Sequence, residues 1–311
     1  MKVIIPGGTG HVGAVLVRHF TNHEVVLLSR TQHPVKGAKV VPWDGKTVGA
    51  WAEEIDGADV VINLAGRSVD CRYNQANLDE MMNSRVLSTR AVGEAIRQAK
   101  NPPRVWLQSS TATIYAHRFD APNDERTGIL GGDEPSAPRT WKASIEIAQA
   151  WERELDVAVT PNTRKVAMRS AMTMSVDDGS VFQVLAGLCR KGLGGNLAGG
   201  KQYVSWVHEF DFARAVDLLI ERDDLEGAIN ICSPNPLPYR EFIADLRNAL
   251  GVRFGIPAMK WMVEIGTWLR RTESELVLKS RRVVPTRLVE AGFKFEYPVW
   301  AEAARELAAR K

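Results

Sequence analysis

Short, almost continuously apolar runs alternate with stretches of helical periodicity through the first half of the chain. Val3-Ile4-Ile5-Pro6 is the first such run. Others follow at Glu24–Ser29, Lys39–Pro42, Asp59–Leu64, Arg104–Ser109, Arg164–Met168 and Ala228–Cys232. Strands that are apolar on both faces and separated by helices predict a parallel sheet covered on both sides. Between them, Asn77–Ala99 carries Leu78, Met81, Met82, Val86, Leu87, Val92 and Ile96 at helical spacing and stops before Asn101-Pro102-Pro103. A second long helix is expected over Trp141–Leu155. Beyond Pro234 the character changes. Asn235-Pro236-Leu237-Pro238 opens a segment with candidate helices at Tyr239–Leu250, Ala258–Arg271 and Thr286–Ala291, then Gly292-Phe293-Lys294-Phe295 and a last helix rich in Ala, Glu and Arg. The pattern predicts a doubly wound α/β domain over residues 1–233, with an excursion toward the substrate side near 171–204. A smaller, mainly helical domain is expected over 234–311.

The join between the first strand and first helix carries the chemistry. Gly7, Gly10 and Gly13 stand three residues apart in Gly7-Gly8-Thr9-Gly10-His11-Val12-Gly13. Glycine permits the positive φ of a tight turn and lets backbone N–H groups approach a phosphate. The helix that follows aims its positive end at the same place. A strand, a G-x-x-G-x-x-G turn and a helix together read as a dinucleotide-binding fingerprint. The residues that end the second strand choose the cofactor. An acid there holds the ribose hydroxyls of NAD, whereas an arginine accommodates the 2′-phosphate of NADP. This chain has Ser29-Arg30-Thr31 and no acid. NADP(H) is therefore expected, with Arg30 as selector through charge-assisted hydrogen bonds and Ser29 assisting.

Composition narrows the partners. The 311 residues are 45% hydrophobic, enough for a substantial core, and the net charge of +3 is small and scattered. That argues against nucleic acid as the main partner. No apolar run approaches the ~20 residues that span a bilayer. The strand beginning directly after Met1-Lys2 leaves no place for a signal peptide. Cys71, Cys189 and Cys232 are distant and odd in number, as in a reduced cytoplasmic protein without a disulfide framework. The histidines show no metal-ligand spacing, so no metal is expected.

The glycine turn, Asn63-Leu64-Ala65-Gly66 and Ser109-Ser110-Thr111-Ala112-Thr113-Ile114-Tyr115 together resemble the extended short-chain dehydrogenase/reductases of the NAD-dependent epimerase/dehydratase superfamily. Ser84-Arg85, Trp151-Glu152, Gly192-Leu193-Gly194-Gly195, Ser205-Trp206-Val207-His208, Glu275-Leu276-Val277-Leu278 and Arg282-Val283-Val284-Pro285 narrow this, with Glu290-Ala291-Gly292-Phe293-Lys294-Phe295. These are similar to an atypical subfamily, the epimerase family proteins, which have their own C-terminal domain of unknown function. The resemblance implies a Rossmann fold and a small-molecule substrate. It places Gly7, Thr9, Gly10, His11, Val12, Gly13, Leu64, Ala65, Gly66 and Ser109 against the cofactor. It also carries the expectation of a homodimer through the two long helices.

The superfamily's chemistry rests on a Ser/Thr and a Tyr-x-x-x-Lys pair. In that pair tyrosine is the acid/base and lysine lowers its pKa while holding the nicotinamide ribose. Thr111 occupies the Ser/Thr position by motif. No tyrosine here is followed by lysine four residues on. Aligned on Trp151-Glu152, Lys142 stands at the tyrosine position and Glu146 at the lysine position, where a carboxylate can still bond ribose hydroxyls. The two also read as an ordinary i,i+4 pair on a helix face. The proton donor is then non-standard: His208, Tyr115, Lys142 or water, with Arg169 open to an anionic substrate or to stabilising its loop. Arg67-Ser68 follows Ala65-Gly66 where the subfamily has an acid, and Tyr73 stands where tryptophan is common. Two functional classes follow. One is an NADP(H)-dependent oxidoreductase or epimerase-like enzyme. The other is a catalytically degenerate NADP(H)-binding sensor or interaction protein, for example one linked to cell division.

Overall fold

Seven apolar runs become seven strands, the central ones buried on both faces and the edge strand over Lys39–Pro42 partly exposed. The computed structural model describes residues 1–134, 138–269 and 273–310, and the side chains of 265–269 fall outside it. The strands of the main sheet are β1 (Lys2–Pro6), β2 (Glu24–Ser29), β3 (Lys39–Pro42), β4 (Val60–Asn63), β5 (Val105–Thr111) and β6 (Arg164–Ser170). Beyond an excursion holding β7 (Met172–Met174), β8 (Tyr203–Val204) and β9 (Trp206–His208), β10 (Gly227–Ile231) returns as the seventh. The order is β10-β6-β5-β4-β1-β2-β3, and every pairing in it is parallel. The winding reverses between β1 and β4, the switch point beyond whose strand ends such sheets bind ligands.

Strand alternation sorts the two faces. Val3, Ile5, Leu27, Ile62, Leu107 and Met168 pack with helices α1 (His11–His19) and, later in the chain, α5 (Glu209–Glu221). Ile4, Val26, Leu28, Val61 and Trp106 pack with α2 (Gln75–Gln98) and α3 (Arg139–Val157) on the other face. α2 begins where Asn74 accepts the Asn77 N–H, an N-cap that satisfies one of the helix's orphan donors. It ends before the prolines, as the sequence predicts.

The excursion is larger than 171–204 and less separate from the C-terminus than two domains would require. It contains α4 (Val181–Arg190), a helix that the pattern reading did not single out. β7 pairs with β9, and β8 pairs antiparallel with β11 (Leu237–Pro238). With α6 (Tyr239–Ala249) and α10 (Trp300–Ala309), these elements enclose one core of Phe182, Trp206, Phe242, Trp300 and Leu307. Trp300 stacks on Phe242 at 4.2 Å between ring centroids. α7 (Lys260–Leu269) and α8 (Glu275–Leu278) lie between; the final two residues of the expected Ala258–Arg271 helix fall outside the described residues. The segment around α9 (Thr286–Glu290) does not belong to this second core: Leu288 and Phe293 pack into the main-sheet core. A boundary at 234 therefore misplaces them, because the chain crosses back to cover β10.

Candidate functional site

The glycines of the turn meet three separate demands. Gly7 has φ +73°, and a Cβ there would come within 2.6 Å of Ala65 Cα. A Cβ on Gly13 would sit 1.9 Å from the Gly8 carbonyl oxygen, so helix and turn could not close. A Cβ on Gly10 would meet nothing within 4 Å. The protein itself does not require glycine at position 10, and the open space lies over the N-terminus of α1. No side chain caps that terminus and its first turn holds no acid. The N–H groups of the opening turn, at His11, Val12 and Gly13, have no intrahelical partner. Thr9 and Gly10 are exposed. The cradle fits a pyrophosphate. Among the neighbours of the turn, His11 titrates below its ordinary value through burial, opposed by Asp177 of the excursion.

At the end of β2, Ser29 is buried and its hydroxyl accepts the Thr31 N–H at 3.1 Å. Arg30 is exposed, with no hydrogen bond or ion pair among the described residues. At the end of β4, the buried Asn63 amide bonds Gln108 Oε1 at 2.9 Å and accepts the Ala65 N–H at 3.0 Å. This shapes the Leu64-Ala65-Gly66 loop from within. Gly66 is exposed, and Ser109 and Thr111 are half-buried along β5. Thr111 Oγ1 accepts the Thr113 N–H at 3.1 Å, capping a short 3-10 turn over Ala112–Ile114.

Three candidate proton donors are placed elsewhere. His208 is fully buried. One ring nitrogen accepts the Phe210 N–H at 3.1 Å, capping α5, and the other lies 2.9 Å from Glu306. The ring stacks on Tyr297 at 4.1 Å. With both nitrogens committed, it is a structural histidine. Tyr115 is also buried. Its hydroxyl donates to Asn230 at 3.0 Å and accepts from Arg169 at 2.9 Å. Arg169 in turn makes two bonds to Glu152, at 2.8 and 2.7 Å, and Ser110 donates to the same carboxylate at 2.5 Å. This network ties β5, α3, β6 and β10 together and commits three of the five Arg169 N–H donors to Glu152 and Tyr115.

Lys142 and Glu146 lie on one exposed face of α3. Both are exposed on α3, whose buried side holds Ile145, Ala148 and Trp151. At about 100° per residue, each lies roughly 160° around the helix from Ser144, whose hydroxyl donates to Glu275.

The region is completed by a segment that sequence reasoning assigned no role. Residues 273–281 fold back onto the turn after β5, onto α3 and onto the loop that precedes α2. Arg281 Nε donates to Thr113 Oγ1 at 3.0 Å, and the buried Lys279 amine donates to the Thr113 carbonyl at 2.8 Å. Ser144 donates to the buried Glu275 carboxylate at 2.6 Å. The backbone N–H of Tyr73 donates to Glu273 at 2.8 Å. Arg85 lies against Gly66, with its guanidinium 4.9 Å from the centroid of the Trp151 ring and a 3.0 Å bond to the Met81 carbonyl. Burial lowers its pKa to about 10. The signal was available in part: Ser84-Arg85, Glu275 and Tyr73 stood out as motif residues or departures. Their convergence was not visible, since they are separated by up to two hundred positions. An open groove of about 520 Å³ lined by Pro234, Pro236, Arg282 and Trp300 shares no residue with this region. Among the described residues no cluster of three or more potential metal ligands occurs, and no helix is long and apolar enough to cross a membrane.

The parallel sheet, its switch point and the glycine cradle define a dinucleotide-binding α/β protein. The chain belongs to the NAD dependent epimerase/dehydratase family, whose sequence model matches residues 3–232. Residues 260–307 match a domain of unknown function, DUF1731. The chain is 27% identical to epimerase family protein SDR39U1 of Homo sapiens over 99% of this chain and all of the relative. It is 26% identical to epimerase family protein YfhF of Bacillus subtilis, covering 96% and 94% of the two. A crystal structure of the human protein (isoform 2) with NADPH superimposes with a TM-score of 0.85, covering 100% of both chains at 27% identity. The fold also matches a nucleoside-diphosphate sugar epimerase from Corynebacterium glutamicum, with a TM-score of 0.76 at 24% identity, over 99% of this chain and 58% of that one.

Burial depresses His11, His117 and His208 alike. An unfolded histidine titrates near 6.5, so below that pH the unfolded chain binds more protons than the folded one. Stability should therefore fall as the pH drops from about 7 to 5. Urea midpoints across that range test this, and a midpoint that rises on acidification overturns it.

Proposed function

We propose that this protein is an NADP(H)-dependent oxidoreductase acting on a small molecule, with an active site that does not use the family's Tyr-x-x-x-Lys pair. The open space over Gly10 at an uncapped helix N-terminus carries the reading. It is a cradle that the protein's own packing leaves free and that a pyrophosphate would fill. The NADPH in the human relative's crystal structure supports the same choice of cofactor. So does Arg30, exposed and without a carboxylate partner at the place where a 2′-phosphate would lie. Gly7, Thr9, Gly10, His11, Val12 and Gly13 would hold the pyrophosphate. Leu64, Ala65, Gly66 and Ser109 would line the path toward the nicotinamide, and Thr111 would contact the substrate oxygen. When bound, NADP(H) exchanges hydride with the substrate, and the protein supplies orientation and proton transfer.

Titrating nicotinamide fluorescence with NADPH and NADH tests the assignment. NADPH should bind much more tightly. Arg30→Ala should cost NADPH about 1.5–3 kcal/mol, the worth of a charged hydrogen-bond partner, while NADH affinity stays where it was. Equal losses for both cofactors remove Arg30 as selector, and no binding of either removes the oxidoreductase reading. Against a panel of carbonyl compounds, Thr111→Val should lower kcat by about 10²-fold or more with NADPH affinity retained. Unchanged turnover would sink the role given to Thr111.

A further inference from the structure

The Gly192-Leu193-Gly194-Gly195 motif joins two segments that are far apart in sequence. The Ile256 N–H donates to the Gly192 carbonyl at 2.8 Å, the Ala258 N–H to the Asn196 carbonyl at 2.8 Å and the Ala198 N–H to the Ala258 carbonyl at 2.9 Å. The Arg247 guanidinium donates to the Gly194 carbonyl at 2.6 Å. The two backbones approach so closely that only glycine fits. A Cβ on Gly195 would lie 2.2 Å from the Ile256 carbonyl oxygen, and one on Gly255 would lie 2.4 Å from the Gly194 carbonyl oxygen. The segments therefore form one tightly held ribbon. α7 leaves it at once, with the Val263 N–H bonded to the Met259 carbonyl at 3.0 Å.

What this feature turns outward is apolar. Leu193, Phe254, Ile256, Met259, Trp261 and Met262 lie on the ribbon or on the first turn of α7, and all six are exposed. Phe254, Met259 and Trp261 are 69%, 67% and 58% exposed, so they stand out from the surface rather than line a groove. Apolar residues scattered singly over a surface need no explanation, but six on one small feature do. Basic residues interleave with them. Arg190, Lys191, Arg253 and Lys260 are exposed, and their side chains make no hydrogen bond or ion pair among the described residues. Residues 179–208 and 246–263 contain no acid at all.

We propose that the ribbon and the first turn of α7 form a membrane-attachment surface that rests on an anionic lipid bilayer. Charge is the first reason. Headgroup phosphates complement every cation on the face, whereas a second copy in a two-fold contact would set the same cations against one another. Shape is the second. Peptides dock in grooves or along free sheet edges, while side chains that project this far fit a soft medium into which they can insert. Composition is the third. Trp, Phe, Ile, Leu and Met beside Lys and Arg is the make-up of segments that lie in the membrane interface. There the basic side chains reach the headgroups while their stems stay with the apolar residues. Resting on the surface requires no spanning helix, in keeping with the lengths of the helices among the described residues.

Co-sedimentation of the full chain with sucrose-loaded vesicles tests the proposal. Vesicles of phosphatidylcholine with one-third phosphatidylglycerol should carry the protein down, and phosphatidylcholine alone should bind it far more weakly. Arg253→Ala with Lys260→Ala should lower partition to the anionic vesicles about 25-fold, at roughly fivefold for each cation near the surface. Phe254→Ser with Trp261→Ser should lower it about tenfold or more, since attachment scales with the apolar area inserted. All four side chains are exposed, so both double variants should keep the wild-type Tm. Raised salt should also weaken binding of the wild-type chain, a test that needs no substitution. Protein that stays in the supernatant with anionic vesicles overturns the proposal, as does equal binding with and without phosphatidylglycerol. Full binding by the Phe254→Ser, Trp261→Ser variant does the same. A wild-type dimer by light scattering that this variant turns into a monomer would assign the face to a second copy of the chain instead.

Discussion

Gly10→Val should leave the Tm of the cofactor-free protein almost unchanged while weakening NADPH binding about 30–100-fold, near the ~2–3 kcal/mol that overpacking a filled site costs. The asymmetry follows from what a side chain would meet. At Gly10 a Cβ finds no protein atom within 4 Å, whereas at Gly13 it would lie 1.9 Å from the Gly8 carbonyl oxygen. Gly13→Ala should therefore destabilise the empty protein as well, since the helix must move off the turn before any cofactor arrives. Gly7→Ala should do the same, because it adds a positive φ of 73° to a 2.6 Å clash with Ala65. Thermal melts with and without NADPH, beside fluorescence titrations, separate the two behaviours. A Gly10→Val protein that binds NADPH as tightly as wild type would show that no pyrophosphate lies over that position. The cofactor assignment would then have to be rebuilt from β2 alone.

Removing the Glu152 carboxylate should cost about 3–5 kcal/mol of stability, the range for breaking a buried ion pair from one side. Glu152 and Arg169 are 13% and 10% exposed, and Glu152→Ala strands the guanidinium among β5, β6 and α3. Arg169 keeps only its bond to Tyr115, and Ser110 loses its acceptor. Urea denaturation with linear extrapolation reads the loss. Replacing both members together, Glu152→Leu with Arg169→Met, should recover much of it, since an apolar pair of similar volume carries no desolvation cost. A single variant that loses under about 1 kcal/mol would mean that water reaches Arg169, and the network would then be peripheral. Because Trp151 also donates to Thr89 at 3.1 Å, the Trp151-Glu152 motif is explained by α3 being fastened to both α2 and the sheet. The packing needs no catalytic role for it.

This network shows why Tyr115 and Arg169 could not be assigned before the structure was in hand. Each carries chemistry-capable atoms at or just beyond the carboxyl end of a strand, the usual place for active-site residues in such sheets. Only the three-dimensional arrangement shows that the two bond one another and that Arg169 also bonds Glu152. His208 follows the same logic from the other end of the chain, since Glu306 and Tyr297 approach it from nearly a hundred residues away.

What the sequence determined by itself was local and periodic. Apolar runs marked all seven strands of the sheet to within two or three residues, because a strand buried on both faces is mostly apolar and even the edge strand keeps its valines. Prolines ended α2, and the glycine spacing announced the cradle, because φ and close approach are properties of single residues. Arg30 was legible for the same reason: the cofactor reads one strand end. Tertiary structure alone decided which side of α3 meets the returning C-terminal segment. Ser144 lies on the side that meets Glu275, while Lys142 and Glu146 lie on the other. It also decided that residues 283–295 return to the main-sheet core and that 273–281 fold onto the turn after β5 and onto α3. Those outcomes depend on pairings between residues one to two hundred positions apart, and such pairings are selected by burial and by the need to satisfy buried polar groups. Neither has a period or a spacing that a linear sequence displays.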